Sequence, residues 1–459
     1  MLIHSSGLSK VKDSVIQKIL LGNEPKPELI AILAVYLVQG ILGLARLAVS
    51  FFLKDELHLS PVEVSALLGI VALPWMIKPL FGFISDGLPI FGYRRRPYLV
   101  LSGILGAAAW VSLATIVDSS WEATIAIALS SLSVAFSDVI VDSLVVERAR
   151  GESLAKIGSL QSLCWSATAV GGLITAYFSG LLLEYFTTRT VFLVTALFPL
   201  IISLAAWLIS ETPVNKDVQQ QDDQTQPPTI KTQLKQVSEA FTQKAIWIPT
   251  VFIFLWQSTP SGEAAFFYFF TNELHFAPEF LGRVHLVTSL ASLVGIWIFQ
   301  RFLKSVPFRI ICGWSIFISG ALRMTMLLLV THTNRALGID DQWFSLGDSL
   351  ILAVMGQIAF MPVMVLAARI CPLGIEATLF ALLMSIFNLG GAISKEFGAL
   401  IMQWLGITDT NFNLLWLLVI ITNSIALVPL IFINWLPEQE ESEIPTLRSQ
   451  ESEIRSQNV

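Results

Sequence analysis

Read from its N-terminus, the chain alternates long apolar stretches with short polar breaks. A helix rises 1.5 Å per residue, so crossing a hydrocarbon layer about 30 Å thick takes about 20 apolar residues. Runs of that length fall at 29–53, 62–84, 97–117, 122–146, 157–184, 189–210, 245–271, 280–303, 309–331, 344–370, 374–404 and 412–436. The pattern predicts an all-α membrane protein with twelve transmembrane helices. One long polar stretch, 211–244, lies between the sixth and seventh runs and carries Gln219, Gln220, Gln221, Asp222, Asp223 and Gln224 before the breakers Pro227 and Pro228. The expected organisation is a tail at 1–28, a six-helix half at 29–210, a linker at 211–244, a second half at 245–436 and a disordered acidic tail at 437–459. Within the first tail, Val11, Val15, Ile16, Ile19 and Leu20 share one helical face, which fits a short helix lying on the membrane surface; a disordered tail is the other reading.

Composition agrees. Of 459 residues, 54% are hydrophobic and 14% charged, against roughly 25% charged in an ordinary soluble domain. The net charge of −6 comes partly from the last segment, where Glu438, Glu440, Glu441, Glu443, Glu451 and Glu453 cluster. No basic footprint for nucleic acid is present. Loop charges set the orientation: with the N-terminus inside, the inner segments hold Lys10, Lys12, Lys18, Lys26, Arg94, Arg95, Arg96, Arg148, Arg150, Lys156, Lys216, Lys231, Lys235, Lys244, Arg301, Lys304 and Arg309, whereas the outer loops hold Lys54, Arg189 and Arg335. Both termini are therefore expected in the cytoplasm, in the inner membrane of a bacterium. Cys164, Cys312 and Cys371 are far apart inside apolar runs, and the five histidines lack HxxxH or HExxH spacing. Neither a disulfide framework nor a metal centre is expected, and nothing calls for a cofactor or an enzymatic nucleophile.

Between the second and third runs the chain reads Gly82, Phe83, Ile84, Ser85, Asp86, Gly87, then Gly92, Tyr93, Arg94, Arg95, Arg96, Pro97. This resembles the major facilitator signature of a glycine, an aspartate four residues on, then glycine and basic residues, with extra residues before Gly92. Two six-helix halves joined by a long inner loop also resemble that superfamily, whose substrate site lies near the midplane between the halves. The segment Lys78–Gly82 with Phe91–Tyr98, the run Ser137 to Arg150, the string Phe254 to Pro260 and the string Glu376 to Leu383 are similar to the folate-biopterin transporter family within the major facilitators. The resemblance implies movement of folates and pterins across a membrane, coupled to protons, by a monomer in lipid.

Such a cargo asks for particular side chains. A pterin ring offers an amino group and a ring N–H side by side, which suits a carboxylate, while the glutamate tail of folate asks for Arg or Lys. Charges inside spans cost about 2.5–3.5 kcal/mol on insertion scales and so face the bundle interior. By the architecture the resemblance implies, Arg46, Asp138, Asp142, Gln257, Glu263 and Gln357 line the cavity, with Lys78 as a further ligand or latch. Arg46 is expected to hold the anionic tail. Asp138 is expected to contact the pterin or carry the proton, and Asp142 to join an inner gate of Asp86, Arg94, Arg95, Arg96, Glu147 and Arg148. The competing reading has both aspartates simply pairing with Lys78, and the arginines serving topology alone. Pro260, Ser261 and Gly262 are expected to break the seventh helix before Glu263. A carrier of another small amphipathic solute, or a non-transporting receptor or scaffold, are the alternatives in function.

Overall fold

The computed structural model describes Leu20 and residues 23–149, 154–213, 242–303, 306–369 and 376–436. Most of the first tail with its expected surface helix, nearly all of the linker and the acidic tail lie outside the described residues. The helices are α1 (Pro27–Ile41), α2 (Leu44–Phe51), α3 (Pro61–Val71), α4 (Leu73–Met76), α5 (Lys78–Gly87), α6 (Arg96–Thr115), α7 (Ser120–Ala149), α8 (Leu154–Tyr185), α9 (Thr188–Ala205), α10 (Lys244–Gln257), α11 (Glu263–Tyr268), α12 (Pro278–Ile298), α13 (Phe308–Arg323), α14 (Met326–Val330), α15 (Thr333–Ala336), α16 (Asp341–Arg369), α17 (Glu376–Trp404) and α18 (Leu415–Ala426). Ten described helical stretches are long and apolar enough to cross a membrane. Several are compound: Pro27–Glu56 joins α1 and α2, and Pro61–Gly87 joins α3, α4 and α5. The seventh predicted run is interrupted, as its proline and glycine imply, and contributes the shorter apolar helix Ile246–Gln257.

The breaks have local causes. Pro74 and Pro79 each withhold a backbone donor and crowd the preceding turn, so the second run divides at Ala72 and Ile77. Helix α3 begins at a full capping box, in which Ser60 accepts from Glu63 N–H and the Glu63 carboxylate accepts from Ser60 N–H. Trp121, Trp207, Trp343 and Trp404 stand exposed near the ends of their helices, where indole rings anchor at a membrane–water boundary.

The structure also exposes an internal repeat that the apolar pattern hides. Residues 52–61 (FFLKDELHLSP from Phe51) and 269–278 (FFTNELHFAP) align with an offset of 217, keeping Phe, Glu, Leu, His and Pro. Each copy ends its helix in a π-turn, Phe52–Glu56 and Phe269–Glu273. Leu57 N–H reaches Phe52 O at 3.0 Å and Leu274 N–H reaches Phe269 O at 3.0 Å. The histidine after each turn, His58 and His275, adopts a left-handed φ of 53° and 54°. The same ten-residue chemistry thus builds the same corner twice.

By packing, the described residues form two compact units. The first takes those within Met1–Gln226, Glu263–Leu290 and Ala399–Phe412; the second takes those within Pro227–Gly262, Ala291–Gly398 and Asn413–Val459. The first unit's core runs through Leu29, Ile32, Val35, Leu99, Ile140, Leu144 and Ile202. The second centres on Ile246, Phe252, Ile253, Val363, Leu383 and Leu436.

Candidate functional site

Because α5 starts at Lys78, an ammonium sits at a helix N-terminus, where the peptide dipoles oppose it. An acid answers it from α7: Lys78 Nζ pairs with Asp138 Oδ2, and Asp142 Oδ2 lies 4.0 Å away. The two aspartates are one turn apart and so share a face of α7. From α1, the Tyr36 hydroxyl donates to Asp142 Oδ1. The Lys78 ammonium also lies 5.1 Å from the centroid of the Trp75 ring, a cation–π distance. All five residues belong to the first unit.

Within this cluster the members differ in access. Asp142 is 50% exposed, against 15% for Lys78 and 13% for Asp138, although its neighbours Ile140, Val141 and Leu144 are buried. A half-exposed carboxylate in mid-helix is costly against hydrocarbon, by several kcal/mol. The charges do not balance, because two carboxylates share one ammonium. Lys78 and Asp138 pair directly, and Asp142 stands beside that pair with the Tyr36 hydroxyl on its other oxygen.

The sequence expectation for Asp142 needs correction. It does not join the arginine loop: its partners are Tyr36 and Lys78, and Arg95 instead pairs with Asp86 at 2.8 Å and with Glu147 at 2.8 Å. The reason is helical rotation. Five residues from Asp142 to Glu147 turn the helix by about 140°, so the two carboxylates look in different directions. Around Arg95, which is buried and also donates to Ser85 Oγ at 3.0 Å, desolvation opposes the charge. The Glu147 hydrogen bond and the Asp86 charge outweigh it and push the Arg95 pKa above the usual arginine range. Arg94, Arg95 and Arg96 further donate their backbone N–H groups to the Glu211 carboxylate, at 2.5, 3.0 and 3.0 Å. Glu211 thereby caps α6 and ties the end of the sixth run to this loop. The Arg96 side chain donates to Ile209 O at 2.6 Å and lies over the Tyr93 and Trp207 rings. Arg148 turns to the first helix, donating to Glu24 O at 3.2 Å, with Glu28 at 3.8 Å.

A second charged group in the first unit comprises Arg46 on α2, Glu263 at the start of α11 and His285 on α12. All three are exposed, and His285 feels the charges of both Arg46 and Glu263. Gln257 and Gln357 belong to the second unit. There Gln257 packs on Gly390 and Gly391 so tightly that a Cβ added at Gly390 would sit 3.0 Å from the Gln257 Cβ. Gln357 packs on Gly295, where the corresponding distance is 2.9 Å. The break between Gln257 and Glu263 is served by α17: Ser261 N–H donates to Ser394 O at 3.0 Å, and Ser394 Oγ donates to Thr259 O at 2.5 Å. Two residues escaped the sequence reading, Tyr36 and His285. Tyr36 carried a signal, being the one phenol of the first run, where its hydroxyl requires a partner. His285 carried none, since its partners lie on two other helices.

Known proteins resemble this chain over most of its length. The BT1 family model matches residues 39–457. The folate-biopterin transporter of Synechocystis sp. is 61% identical over 421 residues, covering 92% of this chain and 84% of that protein. Folate transporter 2 of Plasmodium falciparum is 31% identical over 414 residues, covering 90% of this chain and 89% of that one. Among solved structures, the nucleoside transporter NupG aligns with a TM-score of 0.64 at 14% identity, covering 89% of this chain and 98% of that one. This last likeness is one of fold.

Proposed function

The chain belongs to the BT1 family, and from that premise we propose that it is a secondary active transporter of folates or related pteridines, working by alternating access and coupled to protons. It is an integral membrane protein of the major facilitator fold and not an enzyme. The reading takes the full arrangement to be twelve spans with both termini and the 211–244 linker in the cytoplasm, functioning as a monomer. The similarity to named folate-biopterin transporters supports the cargo.

The observation that carries the mechanism is the unequal charge of the Tyr36, Lys78, Asp138 and Asp142 cluster. Lys78 and Asp138 neutralise each other. Asp142 is left with one oxygen on Tyr36 and the other 4.0 Å from a lysine already paired. A surplus negative charge at this depth attracts either a proton or the paired N–H donors of an aminopyrimidinone edge. Competition between the two for one carboxylate couples proton movement to substrate movement. Arg46 supplies the cation for the glutamate tail, its bidentate guanidinium matching a carboxylate. The inner gate comprises Asp86, Arg95 and Glu147, braced by Glu211 on the backbone of Arg94 to Arg96; Arg148 braces the first helix beside it.

The test is uptake of labelled folate, free pterin and an unrelated organic anion into proteoliposomes holding only this protein, with and without an imposed pH gradient. Folate and pterin accumulation that rises with the gradient is the expected result. Accumulation of the unrelated anion alone would reassign the cargo, and folate exchange indifferent to pH would remove the proton.

A further inference from the structure

We propose that Lys54 and Tyr268 are residues of the transport cycle itself, forming a breakable clasp that closes the end of the first unit opposite the Arg94–Arg96 loop. The two copies of the internal repeat meet there and bind one another reciprocally. From the first copy, Lys54 Nζ donates to Asn272 Oδ1 at 2.8 Å while also pairing with Asp55 Oδ1 at 2.6 Å. Asp55 and Asn272 are equivalent positions of the repeat, so a single ammonium bridges both copies. From the second copy, the Tyr268 hydroxyl donates to the Leu59 carbonyl of the first. Asn272 Nδ2 extends the clasp to Asp409 O at 2.7 Å, which brings in the loop after α17.

Two features separate a clasp from a passive corner. First, the cross-copy donors stand at positions where the two segments differ: Lys54 stands opposite Thr271 within the repeat, and Tyr268 opposite Phe51 one residue before it. The shared residues build each corner alone, and the divergent ones join the two. Second, the polar contacts are few, and beneath them lies an apolar seal. Phe51 meets Phe267 edge to face at 5.2 Å, and Leu47, Phe276 and Leu281 bury the contact. Gly180 and Gly282 let α8 and α12 touch backbone to backbone at the same end: a Cβ on Gly180 would lie 2.8 Å from Gly282 Cα. An apolar seal that parts cleanly, held by two side-chain donors, suits a contact that forms and breaks once per cycle. π-turns, present in both copies, are frequent at functional sites.

The inference rests on the transporter reading, but its first test needs no substrate. With Cys164, Cys312 and Cys371 replaced, a single cysteine is placed at Ser50, one turn inside Lys54. Its labelling by a membrane-impermeant thiol reagent added from the clasp side is then timed. Tyr268→Phe and Lys54→Met are each expected to speed labelling by about two- to tenfold, the range for one lost hydrogen bond. Unchanged rates in both variants would overturn the proposal. The second test pairs Lys54→Cys with Asn272→Cys and joins them with a cleavable bis-methanethiosulfonate. Transport is expected to stop when the tether is in place and return on reduction, which also shows that the tethered protein is folded. Full transport with the tether in place would overturn the clasp. Absence of folate transport by the untethered parent protein would count against the cargo reading alone, leaving the labelling result standing.

Discussion

Lys78 is held by Asp138 on one side and approached by Asp142 on the other, so removing it strands two like charges on one helical face. Breaking a buried pair from one side costs about 3–5 kcal/mol. Lys78→Met should therefore lower the unfolding temperature in detergent, and adding Asp138→Asn should recover most of the loss. Equal melting of the single and double variants would mean that the pair has no structural weight. At Asp142 the expectation differs, because this carboxylate is open and its loss leaves the Lys78–Asp138 pair intact. Asp142→Asn should abolish gradient-driven accumulation and spare folate exchange, while Tyr36→Phe, which keeps the ring packing, should weaken accumulation by a smaller factor. Accumulation at the parent level in Asp142→Asn would return the proton to another group. Arg46→Lys keeps the charge and loses the bidentate fork. A charge-assisted contact is worth about 1.5–3 kcal/mol, so folate uptake should fall at least several-fold more than uptake of uncharged pterin. Equal losses would make Arg46 a structural cation.

At the scale of elements, the useful features are interruptions. The break after Gln257 leaves backbone groups that α17 satisfies through Ser394, so the kink is supported by a neighbour and does not depend on proline alone. The close approach of α8 and α12 at Gly180 and Gly282 is less forgiving. A Cβ at Gly282 would fall 2.7 Å from Gly180 Cα, backbone against backbone, with no flexible side chain to yield. Gly282→Val should keep the helices apart at that end, giving a protein that inserts and binds ligand but transports little and is labelled faster from the clasp side. Parental turnover in Gly282→Val would show that the close approach has no part in the cycle.

For the molecule as a whole, membrane orientation rests on charge. The three cations assigned to the outer loops each have an acid: Lys54 pairs with Asp55, Arg189 with Glu56 and Asp118, and Arg335 with Asp341. The rule counts Lys and Arg alone, so the expectation that the termini lie inside rests on how few cations those loops carry and not on their pairing. Single cysteines test it directly. Thr410→Cys should react with an impermeant reagent added outside intact cells, and Ser210→Cys only after the membrane is opened. The reverse pattern would invert the protein and with it the names inner gate and outer clasp.

Hydrophobic run length, loop charge and the motif strings were sufficient to read a polytopic helical transporter of this family from the sequence, because the bilayer imposes its thickness on each span separately and neighbours are not needed to see it. The break at Pro260 was legible for the same reason, since proline acts on its own helix, whereas the division of the 62–84 run at Pro74 and Pro79 was not anticipated. Partnership was not. The sequence placed Asp142 near the arginine loop by counting residues, whereas rotation about α7 turned it to Tyr36, 106 positions away in the chain. It assigned the Arg94–Arg96 run to topology or a latch, and only the fold showed that Glu211 caps its backbone while Arg95 alone engages two acids. The repeat at 52–61 and 269–278 was present in the letters, but what its differing residues do became visible only when the chain brought Lys54 to Asn272 and Tyr268 to Leu59. A local property such as hydropathy or a turn is decided by residues adjacent in sequence; a charge pair or a clasp is decided by which faces the packed helices present to each other, and that follows from tertiary packing.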